Sequence, residues 1–235
     1  MSGQFDINLS KGECYKNLKE EIMDIAILIY DGITALDAVG PYEVLSCLPK
    51  AKIHFVAKEI GPVRTHTRAL SLVADYKLSD IQQPEIVIVP GGTKGTLIAS
   101  ADEEILNWIR AAHESSKWTM SVCTGALILG AAGILKGLQA TTHWFAREFL
   151  TQFGAEYSNK RIVQQGKVIT AAGVSAGIDM ALHLVSRIAG KDVAEMIQLL
   201  IEYDPQPPFD SGSIQKASKE IVKLAEKAAE LEFKS

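Results

Sequence analysis

Continuous apolar runs of strand length alternate along this chain with longer segments in which apolar residues recur every three or four positions. Residues 22–30 (IMDIAILIY) form the first run, and a strand apolar throughout is one covered on both faces. Residues 51–57 (AKIHFVA) and 85–89 (EIVIV) repeat the pattern, and 118–122 (WTMSV) adds a fourth strand of β-branched and apolar residues. Helical stretches lie between them. One spans 34–47 after the Asp31-Gly32 turn, with Gly40-Pro41 inside it. A second spans 102–116, where Ile105, Trp108, Ile109 and Ala112 share a face, and a small-residue helix opens at Thr124-Gly125. In 63–74, Thr65 and Thr67, then Leu70 and Leu72, alternate as residues in short extended strands or a hairpin do. Downstream, 138–142 reads as a short strand and 144–153 as a helix. Residues 162–165 and 168–171 read as two strands turned by Gly166-Lys167. Helices follow at 175–188 and 192–203, the second halted by the Pro-rich run 204–210.

Strands alternating with helices predict an α/β fold, a mostly parallel sheet sandwiched by helices. A chain of 235 residues fits one such domain. The polar residues 1–21 are expected to be an N-terminal extension with a short helix near 15–21, and 22–213 to be the domain. Residues 214–235 are expected to form an amphipathic helix. Its stripe of Ile214, Ala217, Ile221, Leu224, Ala228 and Leu231 would pack on the domain or on a dimer partner.

With 47% hydrophobic and 22% charged residues the chain can bury a large core. A net charge of −4 without a Lys/Arg cluster argues against nucleic acid as a partner. The three cysteines, Cys14, Cys47 and Cys123, are too few and too scattered for a disulfide framework or a zinc site. Reduced thiols predict a cytoplasmic protein. No apolar run reaches bilayer length and no signal-peptide core is present, so no membrane association is expected.

Chemistry concentrates at Cys123, between a strand and a helix start. A sulfur there lies near the positive end of a helix dipole, which favours thiolate, and Ser121 and Gly125 are the small neighbours that a tight nucleophile elbow requires. Pro90-Gly91-Gly92-Thr93 ends another strand. Its Gly92 amide, with that of Thr124, would form an oxyanion-type pocket. Asp37 sits in the apolar run Ala35-Leu36-Asp37-Ala38-Val39, where desolvation raises a carboxyl's pKa and suits it to carry a proton. His143 stays open between a structural role and one at the elbow, and Asp179 is read as structural, pairing with a helix end or an arginine.

Several stretches together resemble the ThiJ/PfpI superfamily of cysteine-elbow α/β proteins, and within it the isocyanide hydratases. They are Ser121-Val-Cys123-Thr124-Gly125-Ala, Leu36-Asp37-Ala-Val-Gly40-Pro41, Ile88-Val-Pro-Gly-Gly-Thr93, Ala140-Thr-Thr-His-Trp144, Gly173-Val-Ser-Ala-Gly-Ile-Asp179 and the Pro-rich run ending at Gly212. The likeness covers about residues 23–213. It implies a flavodoxin-like sheet of the class I glutamine amidotransferase type, and a homodimer. It also implies hydration of a small-molecule isocyanide to an N-substituted formamide through a covalent thioimidate. In that chemistry Cys123 is the nucleophile, Asp37 the proton carrier and Thr124 a third catalytic residue that hydrogen-bonds at the nucleophile or assists Asp37, while Gly92 and Val174 shape the pocket, and no metal or organic cofactor is required. Peptidase-like members place a histidine where this chain has Thr124, and many others use a glutamate where it has Asp37. The same motif serves the sensing domains of AraC-type regulators, but here one amphipathic helix follows Ser213 and no helix-turn-helix. The alternatives are a glyoxalase-like methylglyoxal hydratase and a non-catalytic sensor whose cysteine records oxidation.

Overall fold

The apolar runs become neighbouring strands in a computed structural model that describes residues 23–234. The helix expected near 15–21, and Cys14, lie outside the described residues. In chain order the elements begin with β1 (Met23–Leu28), α1 (Ala35–Leu45), β2 (Ala51–Ala57), β3 (Gly61–Arg64), β4 (Ser71–Ala74), β5 (Tyr76–Lys77) and β6 (Ile86–Val89). Next come α2 (Lys94–Ala99), α3 (Glu103–Ser115), β7 (Trp118–Val122), α4 (Gly125–Ala131), β8 (Gln139–Ala140), a 3-10 turn (Trp144–Ala146) and α5 (Arg147–Gln152). The chain closes with β9 (Glu156–Tyr157), β10 (Ile162–Gln165), β11 (Val168–Ala171), α6 (Ala176–Ala189), α7 (Lys191–Leu200) and α8 (Lys219–Lys234).

A seven-stranded sheet runs in the order β10-β11-β7-β6-β1-β2-β5. Its pairs are parallel except β10 with β11, the hairpin read at Gly166-Lys167. Helices α1, α6 and α7 pack together as one group, and α2 to α5 as a second. Between them Ile25, Ile27, Ile86, Ile88 and Met120 are wholly buried, as continuous apolar strands require. From β1 the chain moves outward to β2 and later returns on the other side as β6. The order thus reverses at the carboxyl ends of β1 and β6, where open α/β sheets hold their ligands.

Several short elements differ from expectation. The strand expected at 138–142 is the two-residue β8, which pairs with β9 apart from the main sheet. The helix expected at 144–153 is split, because the His143 ring accepts the Phe145 N–H and opens a 3-10 turn before α5. The stretch 63–74 does form a hairpin, β3 with β4.

The terminal helix starts at Lys219 rather than 214, and of the two surfaces expected for its stripe, the subunit's own domain does not take the bulky residues. Val222, Ala225 and Ala229 are half-buried, whereas Ile221, Leu224 and Leu231 of the expected stripe stand exposed (47%, 65% and 63%). The small-residue face meets the domain, and the bulkier apolar face looks outward.

Candidate active site

Three chain segments converge at the reversal of strand order. The first is α1, whose Pro41 packs on Gly177 of α6. A Cβ at Gly177 would come within 3.2 Å of the proline ring, so a side chain there would make the neighbour shift by a few tenths of an ångström. The contact aims the first turn of α1 at the strand ends, and Asp37 there is fully buried. The Thr34 N–H before that turn donates to Gly91 O at 2.9 Å, tying α1 to the loop after β6.

The second segment is that loop. Gly91 N–H donates to Asp37 Oδ2 at 3.0 Å. Oδ1 is buried with no hydrogen-bond partner of its own. A Cβ on Gly91 would come within 2.5 Å of Thr124 Oγ1, so only glycine lets the loop pass this closely.

The elbow is the third. Cys123 adopts φ 58°, left-handed backbone that costs a non-glycine residue about 1–2 kcal/mol. Surrounding bonds hold it there. Its N–H donates to Ala172 O at 2.9 Å and Ala171 O at 3.2 Å, and its carbonyl accepts from Thr142 Oγ1 at 2.9 Å. Gly125 lies so close to Val89 O and Pro90 that any side chain would collide. Elbow and glycine loop are thereby pressed into one unit.

Electrostatics at the pair differ from the ionised sulfur expected from the helix dipole. Burial pushes the Cys123 thiol well above its usual range, and the nearby Asp37 charge pushes it further. The Val174 and Thr124 amides pull the other way without reversing the direction. Desolvation outweighs a helix of only seven residues. Asp37 is raised to about 7 by burial, with the Gly91 N–H and the Cys123 thiol opposing the rise. At neutral pH the thiol therefore keeps its proton and the acid is about half ionised, so the pair with a single proton, held on sulfur, stands beside the doubly protonated one.

The other expected residues are placed as follows. Val174, at φ 24°, presents its amide to the sulfur rather than only packing there. Thr124 contributes its amide likewise, but its hydroxyl faces the loop and donates to Gly92 O at 2.7 Å. The Gly92 N–H, expected as an oxyanion donor, is engaged by Thr124 Oγ1 at 3.0 Å. The amides that reach the sulfur are those of Thr124 and Val174, and the loop amide that reaches the acid belongs to Gly91.

His143 Nδ1 accepts the Phe145 N–H, which leaves the proton on Nε2, and burial lowers its pKa so that the ring is neutral. The ring borders a cavity of about 360 Å³ beside the elbow, with Thr142, Trp144, Tyr157, Gly173 and Val174 also in its wall. Cys123 itself is 5% exposed. Asp179 accepts from Arg161 Nε at 2.5 Å and from Tyr203 OH at 3.2 Å, a structural pair at the start of α6. Among the described residues no group of three or more His, Cys, Asp or Glu is placed to hold a metal ion, and no helix is long and apolar enough to cross a membrane.

Two residues of this network carry no motif in the sequence. Tyr30 OH donates to Pro90 O at 2.9 Å and lies 3.1 Å from Thr96 Oγ1, which is itself 2.8 Å from Thr124 Oγ1. Tyr30 reads simply as the end of an apolar strand, and Thr96 lies between Thr93 and Asp102, where the sequence pattern assigned no element.

Comparison with known proteins places this arrangement among relatives. Residues 23–187 match the model of the DJ-1/PfpI family. An isonitrile hydratase of Pseudomonas putida is 40% identical over 88% of this chain and 90% of its own length. A crystal structure of a ThiJ/PfpI family protein from Pseudomonas syringae superposes with a TM-score of 0.90 at 36% identity, covering 100% of this chain and 95% of the other. The HTH-type transcriptional regulator CdhR of Pseudomonas aeruginosa is 25% identical over 74% of this chain, which spans 53% of that protein.

Proposed function

The chain belongs to the DJ-1/PfpI family, and we propose that within it this protein is an isocyanide hydratase, converting R–N≡C and water to the formamide R–NH–CHO. The single observation that carries the proposal is the wholly buried Asp37 carboxyl set against the Cys123 thiol at the elbow. Likeness over nearly the full length to an isonitrile hydratase supports it.

The terminal carbon of an isocyanide accepts a nucleophile and also carries a lone pair that must be protonated. A thiol and a carboxylate sharing one proton meet both needs. Asp37 as carboxylate takes the proton from Cys123, and the sulfur forms a bond to the carbon. Asp37 delivers the same proton to that carbon, giving the thioimidate R–N=CH–S–Cys123. Water then adds to the carbon. Asp37 takes a proton from it and passes it to nitrogen, and collapse breaks the C–S bond. Sulfur leaves as thiolate and recovers the remaining proton from the former water, and the formamide departs. Proton count closes without any other reactant.

A raised thiol pKa fits this sequence, because the proton must be present to be moved. The Thr124 and Val174 amides lower the energy of the sulfur anion on each occasion that it forms. The cavity beside the elbow offers space of mixed polarity for the substituent R, with Trp144, Tyr157 and Val174 as its apolar wall and His143, Asn159 and Arg161 among its polar residues.

The protein is further proposed to be a cytoplasmic homodimer, with the outward apolar face of α8 as the surface for the second copy. Incubation with an aryl isocyanide beside methylglyoxal tests the activity. Formamide appearance that is absent in Cys123→Ala is expected, and turnover of methylglyoxal alone would replace the reading.

A further inference from the structure

Hydroxyl counting fixes the direction of the chain that runs from Tyr30 to the elbow. Thr124 Oγ1 has one hydrogen and gives it to Gly92 O at 2.7 Å, while accepting the Gly92 N–H at 3.0 Å. Its remaining contact, to Thr96 Oγ1 at 2.8 Å, must then be one in which Thr96 donates. Thr96, its own hydrogen committed, can only accept from Tyr30 OH, whose hydrogen is shared between Thr96 and Pro90 O. Thr96 and Thr124 are buried, and the phenol hydroxyl bonds are buried as well, so water does not replace these partners.

The Thr124 hydroxyl thus clamps both polar groups of Gly92, with the Thr96 and Tyr30 hydroxyls in line behind it. The adjacent residue is Gly91, whose N–H is the hydrogen bond on Asp37 Oδ2. A loop of glycines has no side chains of its own to hold it in place, and here hydroxyls supply part of the restraint, beside the Thr34 N–H bond to Gly91 O. We propose that Thr96 and Tyr30 are positioning residues of the reaction: they orient the Thr124 hydroxyl, which fixes the Gly91–Gly92 loop and keeps the Gly91 N–H aimed at the Asp37 carboxylate. The proposal deepens the isocyanide reading, in which Asp37 carries the proton, and depends on it only for the identity of the substrate.

Removal of the Thr96 hydroxyl leaves the Thr124 hydroxyl held by Gly92 alone and loosens the clamp. Asp37 then loses part of the bond that opposes its burial, and its proton affinity rises. The titratable groups that act with it are Cys123 and Tyr30.

The test is the pH dependence of Cys123 alkylation by iodoacetamide, read by peptide mass spectrometry, in wild type, Thr96→Val, Thr96→Ser and Tyr30→Phe. No isocyanide takes part, so the substrate reading and this proposal can fail separately. The low-pH limb, set by the first proton lost from the Asp37–Cys123 pair, is expected to move upward by about half a unit to one unit in Thr96→Val. A smaller shift of the same sign is expected in Tyr30→Phe, and Thr96→Ser should restore the wild-type limb. An unmoved limb in folded Thr96→Val overturns the proposal. Should that variant fail to fold, an unmoved limb in Tyr30→Phe overturns it equally.

Discussion

The backbone N–H of Gly91 donates to Asp37 Oδ2 at 3.0 Å, and this bond works against the burial that drives the same carboxyl up to about 7. The balance leaves the acid close to half ionised at neutral pH, able to take a proton from sulfur and return it to carbon. Below that pH the Asp37–Cys123 pair holds two protons and no base remains. Isocyanide turnover is therefore expected to rise with pH through about 7, and a kcat/KM profile measures it. Asp37→Asn should abolish turnover while leaving the fold intact; wild-type rates in it would mean that another group carries the proton.

Burial of this acid also has a cost in stability, with a definite sign. Its folded pKa lies above its unfolded one, so between the two the folded state binds more protons, and stability falls as pH rises through that window. Asp37→Asn keeps an acceptor for the Gly91 N–H but never ionises. Its melting temperature should exceed that of wild type on the alkaline side of about 7, with the gap closing in acid, where both side chains are neutral. Parallel thermal melts at several pH values check this, and a gap that widens in acid would contradict it.

Cys123→Ala separates the partners of the acid from one another. The thiol lowers the pKa of Asp37, whereas burial, the larger influence, raises it. With sulfur gone and burial unchanged, Asp37 should titrate above about 7. Carboxyl carbon NMR of labelled aspartate reads the shift directly, and a fall in pKa would show that the thiol acts in the opposite sense.

Much of this was legible in the sequence, for physical reasons. Strands buried on both faces must be apolar throughout, so β1, β6 and β7 were visible as runs, and the order of strands and helices implied the sheet. Cys123, Asp37 and the glycine loop stood out because each breaks its local pattern. The proton affinity of the sulfur was not legible, since desolvation depends on what the fold places over it. Tyr30 and Thr96 meet only in space, 66 positions apart along the chain. In α8, periodicity showed one apolar stripe without showing whether the domain or a partner would take it, and the domain takes the smaller residues Val222, Ala225 and Ala229 instead. The edge strand β5 and the pair β8 and β9 have two residues each, too short for any period to register.

Gly125 is the point at which the elbow has least room. An added Cβ would come within 2.8 Å of the Pro90 carbonyl carbon, with Val89 O closer still, and both are backbone atoms that cannot rotate away. Gly125→Ala should destabilise the protein by about 3 kcal/mol or more, the upper range for overpacking, and detach the elbow from the β6 loop. Gly212→Ala, where a Cβ meets open space, is the control and should stay within about 0.5 kcal/mol of wild type. Denaturant unfolding of the two variants makes the comparison, and equal losses would exclude a steric cause.

Helix α8 presents the last expectation. Its inner face, Val222, Ala225 and Ala229, is half-buried against its own subunit, and its outer face holds Ile221, Leu224 and Leu231 in exposed positions one helical turn or two apart. Leu97 and Ile98 of α2, which α8 contacts, are also exposed at 47% and 64%, so the apolar surface extends beyond the helix. Apolar surface of this kind is favourable to cover, and in the proposed homodimer a second copy covers it. Leu224→Glu with Leu231→Glu would place two charges in that interface without disturbing any buried contact of the subunit. Sedimentation should give the mass of two chains for wild type and one for the double variant, with the melting of the isolated subunit little changed. A single-chain mass for wild type would leave α8 as a surface helix and remove the dimer.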